Sequence, residues 1–231
     1  MAGAPSVSLV LDAARVAREA GNLHVAARAV DHAYQRLDDE PGARERLAEE
    51  GALFARELAE RGAHFAALGE LLRAQQVGAD LRDLLSSLLR TYTRWRPRAA
   101  SIGVPKDALT AGASGDFWVG IGRRGRILLL EGGITGEATE AVSRVIELSA
   151  EKAPWLFVDV SRLSYVGSSG LAVIVKQAER CKGKGGGLCL FGLSSNLKLL
   201  VETLGLAPFL NPVADLPEAL SLAQPSLAPA R

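Results

Sequence analysis

The chain has 231 residues, enough for one large or two small domains. Its 27 Lys and Arg residues nearly balance its 26 Asp and Glu residues, so net charge gives no indication of nucleic acid or membrane binding. Two cysteines, Cys181 and Cys189, do not make a disulfide framework and are expected to stay reduced. The first residues lack the basic start of a signal peptide and no apolar run is long enough to span a bilayer, so we expect a cytoplasmic protein.

Residues 1–97 are predicted to form an all-α domain of about five helices, because Ala, Leu, Arg and Glu dominate and glycines divide the region. An internal repeat of 41 residues relates two sets of positions: Gly21, Leu23, Ala26, Val30 and Ala33 correspond to Gly62, His64, Ala67, Leu71 and Ala74. The pattern is similar to the second helix of a tetratricopeptide repeat, although the usual period is about 34 residues. We therefore predict a helical bundle or a tetratricopeptide-like domain for interaction or sensing.

The last helix of this half is predicted to run from an N-cap at Asp80 through Trp95. Arg90, Arg94 and Arg96 gather near its end. They could contact nucleic acid or an acidic partner, but cations also stabilise a helix C-terminus and a proline follows directly, so we favour the structural role. Residues 98–115 are rich in Ala, Gly, Ser and Pro and are interpreted as a linker.

Strands and helices alternate from residue 116 to residue 223. Strands are predicted at Phe117–Ile121, Arg126–Ile134, Trp155–Val160, Leu188–Leu193 and Phe209–Val213, the first two joined across residues 122–125. Helices are predicted at Glu137–Lys152, from Leu171, after a cap at Ser194 or Ser195, and from Asp215 or Pro217. This order indicates an α/β sheet with parallel neighbours and right-handed crossovers. The tail, residues 224–231, is expected to be flexible.

The most specific pattern lies between Trp155 and Val175. An apolar strand interrupted only by Asp159 leads towards Gly167-Ser168-Ser169-Gly170, and a helical apolar period starts at Leu171. Hydroxyls at a strand-to-helix turn lie beside the unpaired N–H groups of the new helix, which favour an anion, including a phosphate carried on a serine. A serine in this position can also simply cap the helix.

This segment resembles the STAS domain, whose best-known members are anti-sigma factor antagonists. The matching residues are Asp159-Val160-Ser161, Ser164-Tyr165-Val166 and Gly167-Ser168-Ser169-Gly170-Leu171. The resemblance extends over residues 116–222 and implies a mixed sheet of four or five strands with helices mainly on one face. Gly167 departs from the family pattern, because many antagonists carry Asp there, and an acidic docking group for a kinase is therefore missing.

The resemblance also implies a function in partner switching. Ser168 aligns with the phosphoserine of the family and Ser169 is the alternative acceptor, while Tyr165, Gly167 and Gly170 complete the partner-binding turn. The unphosphorylated turn would bind an anti-sigma factor that is also a serine kinase of the GHKL type. Phosphorylation would end binding, and a cognate phosphatase would reset the cycle. The chain would then be a substrate and binding partner, not an enzyme, with no cofactor, nucleic acid or membrane involved.

Other candidate sites carry weaker patterns. The segment Lys182–Gly187 lacks the spacing of a P-loop and precedes a strand, so a plain turn is favoured. His24, His32 and His64 lack Cys or carboxylate neighbours at metal-binding spacing. No set of nucleophile, base and orienting group is visible.

Two alternative functions stay open. The protein could be a scaffold in which both halves bind proteins and the serine turn is structural or a homodimer contact. It could also be a stressosome-like sensor, since those proteins join a helical N-terminal module to a C-terminal STAS domain. In either case the helical half could hold a further protein.

Overall fold

The computed structural model describes residues 5–37, 40–102, 115–136 and 138–224. The chain divides into two compact units. The helical unit contains residues 1–90 together with 120–122, and the sheet unit contains residues 91–119 and 123–231.

The helical unit is built from amphipathic helices joined by short turns. Its described helices are α1 (Val7–Glu19), α2 (Leu23–Gln35), α3 (Ala43–Glu60), α4 (His64–Gln76) and α5 (Arg82–Arg90). Ser6 caps α1 by accepting a hydrogen bond from the backbone N–H of Leu9. Asn22 caps α2 in the same way. The chain therefore supplies local start signals, and burial of the apolar faces supplies the rest of the helix stability.

The predicted repeat of 41 residues corresponds to two helical hairpins. The first hairpin is α1 with α2 and the second is α3 with α4, and both α2 and α4 have 13 residues. Gly21 and Gly62 occupy equivalent turns and share a φ of 76°. Ala26 and Ala67, which also correspond in the repeat, are both fully buried. The likeness to tetratricopeptide repeats stays a prediction.

The second helices of the two hairpins share a buried charged cluster. The Arg73 guanidinium pairs with Glu70 and, at 2.5 Å, with Asp31, and it lies 4.3 Å from the centre of the Tyr34 ring. Arg73 and Glu70 are almost inaccessible to water. Because a buried charge without a partner is costly, these residues fix how α2 and α4 meet.

The sheet unit alternates strands and helices. Its described elements are α6 (Tyr92–Trp95), β1 (Ala100–Ile102), β2 (Asp116–Gly120), β3 (Arg123–Ile134), α7 (Ala138–Lys152), β4 (Trp155–Val166), α8 (Ser168–Gly183), β5 (Gly187–Phe191), α9 (Ser195–Thr203), α10 (Ala207–Leu210) and α11 (Leu216–Ala223).

These strands form one five-stranded sheet in the order β1-β3-β4-β5, with β2 also paired to β3. The β1–β3, β3–β4 and β4–β5 pairs are parallel, so α7 and α8 are the crossover connections of two βαβ units. A core of Val, Leu and Ile side chains lies between one face of the sheet and α7, α8, α9 and α10. The other face carries Phe117, Ile127, Phe157 and Phe191 and is covered by α6 and α11. The predicted α/β class is confirmed.

Several predicted element boundaries were wrong. The helix predicted from Asp80 through Trp95 ends at Arg90, and Tyr92 and Trp95 belong to α6 of the sheet unit. Within the predicted linker, residues 100–102 form β1, which pairs with β3, while residues 103–114 lie outside the described part of the chain. Tertiary packing outweighs the local pattern in both places.

The ends of the sheet unit also differ from prediction. The turn between β2 and β3 lies at residues 121–122 rather than at 122–125. No strand forms over Phe209–Val213. Instead α10 ends at Leu210, and only Val213 bridges to Phe191. Gln224, the first residue of the tail predicted to be flexible, is held in place, because its buried side-chain amide donates to the Val119 carbonyl at 2.5 Å. Residues 225–231 and Glu137 lie outside the described residues.

Candidate functional site

The serine turn, defined here as residues 165–170, lies where the chain leaves β4 and enters α8. Val166, the last residue of β4, pairs with Ile134, the last residue of β3. The backbone N–H of Gly167 then donates to the Ile134 carbonyl at 2.9 Å. This contact fixes the start of α8 against the carboxyl end of the neighbouring parallel strand.

Gly167, and not a serine, is the N-cap of α8. Its backbone is extended, with φ −77° and ψ 166°, and no side chain caps the helix. The first helical hydrogen bond runs from Leu171 N–H to the Gly167 carbonyl, at 3.1 Å. Ser168 and Ser169 are therefore the first two residues inside the helix. The sequence-based alternative in which either serine caps α8 is wrong, and both hydroxyls are left without a capping role.

The two serines differ in their surroundings although both are exposed. The Ser169 hydroxyl lies 3.4 Å from the hydroxyl of Thr139, near the start of α7. Thr139 in turn donates to the Thr135 carbonyl at 2.9 Å. The Ser168 hydroxyl has no hydrogen bond to any of the residues that the structure describes. Ser168 is thus the less engaged of the two hydroxyls.

The backbone around the serines is electrostatically suited to negative charge. Within the described ranges, the N–H groups of Ser168, Ser169 and Gly170 have no acceptor. Unpaired N–H groups carry the positive end of the helix dipole, which stabilises an anion by about 0.3–1 kcal/mol at an exposed helix start. A phosphate on the first residue of α8 would therefore be compatible with the fold.

Two glycines shape the turn in different ways. A Cβ on Gly170 would meet the side chain of Ile134 closer than real Cβ atoms approach one another, so α8 needs glycine there to begin against β3. A Cβ on Gly167 would meet only ordinary contacts, the nearest being the Ile134 carbonyl oxygen at 3.4 Å. Gly170 is thus required by packing and Gly167 is not.

The exposed rim of the turn comes from β4. Tyr165 is 61% exposed although it is a large aromatic residue. Arg162 forms an exposed ion pair with Glu131 at 3.4 Å, on the strand next to it. Surface pairs of this kind contribute little to stability. An exposed aromatic ring three residues before the exposed Ser168 hydroxyl is therefore available for contact with another molecule.

A buried carboxylate in β4 was not predicted as part of the site. Asp159 is 2% exposed. Its Oδ2 accepts a hydrogen bond from the Tyr92 hydroxyl at 3.0 Å, and its Oδ1 accepts one from the backbone N–H of Ser161 at 3.0 Å. The Arg96 guanidinium lies 4.0 Å from Oδ2. Burial and the Asp159 carboxylate raise the pKa of the Tyr92 phenol, so the phenol stays protonated as the donor.

In the segment Lys182–Gly187 the helix α8 ends and β5 begins, as expected for a plain turn. Among the described residues, no group of three His, Cys, Asp or Glu side chains could hold a metal ion. No helix within the described ranges has the length and apolar character needed to cross a membrane.

Comparison with known families identifies the sheet unit. A family model for the STAS domain matches residues 121–219, a range that includes β3, both crossover helices and the serine turn. Residues 121–219 form a STAS domain. The resemblance inferred from the motif around Asp159 and Ser168 is therefore confirmed.

Three solved structures that are similar to part of this chain carry different names and have low sequence identity to it. A candidate anti-sigma factor antagonist from Thermotoga maritima is 16% identical, with 43% of this chain and 87% of that chain covered and a TM-score of 0.41. A sulfate transporter family protein from Wolinella succinogenes is 18% identical, with 43% and 84% covered and a TM-score of 0.38. The anti-sigma factor antagonist SpoIIAA in its unphosphorylated form is 18% identical, with 49% and 97% covered and a TM-score of 0.39. No curated protein matches the chain.

Proposed function

We propose that this protein is a regulatory binding protein of the anti-sigma factor antagonist type, which switches partners when Ser168 is phosphorylated. The observation that carries the proposal is the position of Ser168, an exposed hydroxyl on the first residue of α8 that has no capping role in a STAS domain. The partner would be an anti-sigma factor with serine kinase activity of the GHKL type, and a phosphatase would restore binding.

The switch would act through charge at the surface rather than through unfolding. A phosphate adds about −1.5 to −2 charges and three acceptor oxygens at neutral pH. The unpaired N–H groups at the start of α8 accommodate that charge within the domain. A partner that packs over Tyr165 and the serines would have to bury the dianion, and the cost of removing it from water would oppose the complex. The chain itself would contribute no catalytic group, because the kinase supplies the nucleotide site.

Phosphopeptide mass spectrometry on the protein from its own cells, with and without stress, tests the modification directly. We expect phosphate on Ser168 that changes with stress. An unmodified turn under every condition would contradict the proposal.

Binding to GHKL-type kinases from the same genome tests the switch. Ser168→Ala should bind one of them as a 1:1 complex, and Ser168→Glu should bind it at least about tenfold more weakly, as expected when a charge is buried in an interface. Ser195→Glu is a matched control, because Ser195 is the exposed first residue of α9 and its replacement places the same charge at an equivalent helical position. Equal weakening by both Glu variants would indicate a general charge effect and would count against the switch.

A non-phosphorylated scaffold is the second candidate function, and Gly167 favours it. Many antagonists carry an acidic residue at this position, and this chain has no side chain there. In the scaffold, partner binding would not respond to Ser168→Glu. The binding measurement above therefore separates the two functions.

A further inference from the structure

The segment that precedes the sheet is attached to the same strand that ends in the serine turn. We name residues 92–96, which include α6, the strap. The Tyr92 ring packs edge-on against Trp95, with centroids 5.2 Å apart, and against Phe191 of β5, with centroids 5.8 Å apart. The Tyr92 hydroxyl reaches across 67 residues of sequence to the buried carboxylate of Asp159. The strap is therefore fixed to the centre of the sheet by one short helix.

Asp159 lies directly before an irregularity in β4. Leu129 pairs with Asp159, but Glu131 pairs with Arg162, so β4 contains one more residue than β3 over this interval. The extra residue is a β-bulge, and the backbone groups of a bulge lose their regular ladder partners. The Ser161 N–H instead donates to Oδ1 of Asp159. The Asp159 carboxylate thus accepts one hydrogen bond from the backbone of the bulge, through Oδ1, and one from the Tyr92 hydroxyl of the strap, through Oδ2.

A second irregularity lies between this bulge and the serine turn. Gly132 pairs with Leu163, whereas Gly133 pairs with Tyr165, so β4 gains another residue. Both shifts change which side of the strand each side chain occupies, because the side-chain period in a strand is two. The orientation of Tyr165 and of the start of α8 therefore depends on where the bulges sit.

We propose that the strap is a releasable latch, which holds the bulge of β4 through the Tyr92–Asp159 hydrogen bond and so sets the geometry of the serine turn. Release is accessible because α6 has only four residues and because Asp159, freed from the strap, would regain hydration of a charge that is now buried. The strap follows α5 of the helical unit directly in sequence. This proposal does not depend on phosphorylation of Ser168.

Hydrogen exchange measured by mass spectrometry on the full chain tests the latch with Tyr92→Phe. This variant keeps the ring and removes only the hydroxyl. Loss of a hydrogen bond to a charged group should raise the exchange of residues 92–102 and 161–170 by about tenfold. Exchange of α7 and β5 should stay unchanged.

Tyr34→Phe is the matched control. Its hydroxyl is buried in the helical unit and has no hydrogen-bond partner among the described residues, so its removal should leave residues 161–170 unaffected.

A second pair of variants, Arg96→Gln and Arg94→Gln, repeats the test on the second contact between the strap and Asp159, the ion pair with Arg96. Arg96 lies 4.0 Å from Asp159, whereas Arg94 is exposed. We expect faster exchange at 161–170 for Arg96→Gln alone.

Two results would overturn the latch. The first is an increase in exchange limited to residues 92–102, which would show that the strap is not coupled to the serine turn. The second is an equal increase across α7, β5 and the serine turn, which would show that Tyr92 contributes only to the stability of the whole unit. If Tyr92→Phe does not fold, Arg96→Gln is judged in the same way, by the expected exchange pattern and by these two contrary ones.

Discussion

Gly167 has a backbone conformation that any residue can adopt and ordinary space for a side chain. An Asp there would accept a hydrogen bond from an unpaired N–H group of the first turn of α8. We therefore expect Gly167→Asp to fold normally and to gain a few tenths of a kcal/mol in the free energy of unfolding, measured by chemical denaturation. Gly167→Ala adds the same Cβ without the acceptor and should lose stability. An equal gain in both variants would contradict the capping explanation.

Gly170 presents the opposite case, because its Cα faces the buried side chain of Ile134. Gly170→Ala should lower the free energy of unfolding by about 1–3 kcal/mol, the usual cost of overpacking, since Ile134 and the start of α8 must move apart. Gly183→Ala is the control in the same helix, as nothing lies within 4 Å of its added Cβ. That variant should be neutral or slightly stabilising. A loss at Gly183 as large as that at Gly170 would show that the effect is not due to packing.

At the scale of elements, the two helical hairpins turn at glycines in the left-handed region. Gly21 and Gly62 share a φ of 76° and occupy equivalent positions in the repeat. An added Cβ meets nothing within 4 Å at Gly62 and only the end of Arg61 at Gly21. Alanine should therefore cost about 1–2 kcal/mol at each position through backbone strain alone. Thermal unfolding of the two variants should give similar losses, and a negligible loss at either turn would contradict their equivalence.

The elements that sequence patterns predicted correctly are those with a local signal. Ser194 caps α9 and Asp215 caps α11, each being one of the two residues predicted for that helix start, because a cap depends on residues only three positions apart. The strand after Trp155 was predicted to end at Val160 but continues to Val166. Its second half has polar, exposed residues and two bulges, so the alternation that marks a strand is lost.

In the candidate site, too, features that depend on neighbouring residues in the sequence were predicted, and a contact between distant residues was not. The serine turn was recognised from contiguous residues, and the packing need for Gly170 follows from a neighbouring strand that the sequence also predicted. The hydrogen bond from Tyr92 to Asp159 was not predicted, because the two residues are far apart in sequence and Tyr92 fitted the pattern of the preceding helix. An Asp inside an apolar strand was the available signal, since a buried carboxylate requires a partner.

At the scale of the molecule, both cysteines lie in the sheet unit, one at each face of the sheet, so their reactivity measures how far each face opens. Cys181 lies on α8 and belongs to the core between that helix and the sheet. Cys189 lies on β5 between two residues of the same core, so its side chain points to the opposite face of the sheet. Both are fully buried, and burial raises the pKa of Cys189 to about 12. The thiolate, which is the form that reacts, is therefore strongly disfavoured for Cys189 at pH 8.

We therefore expect neither thiol to react with an aromatic disulfide reagent in the native protein. Labelling should proceed at the same slow rate for Cys181 and Cys189, because exposure of either requires the sheet to separate from the helices that cover it. Labelling after denaturation, where both should react at once, provides the control. Faster labelling of Cys189 than of Cys181 would contradict a single cooperative core and would show that the face covered by α6 and α11 opens first. Since the strap contains α6 and lies on that face, such a result would also show that the sheet unit opens most easily where the strap covers it.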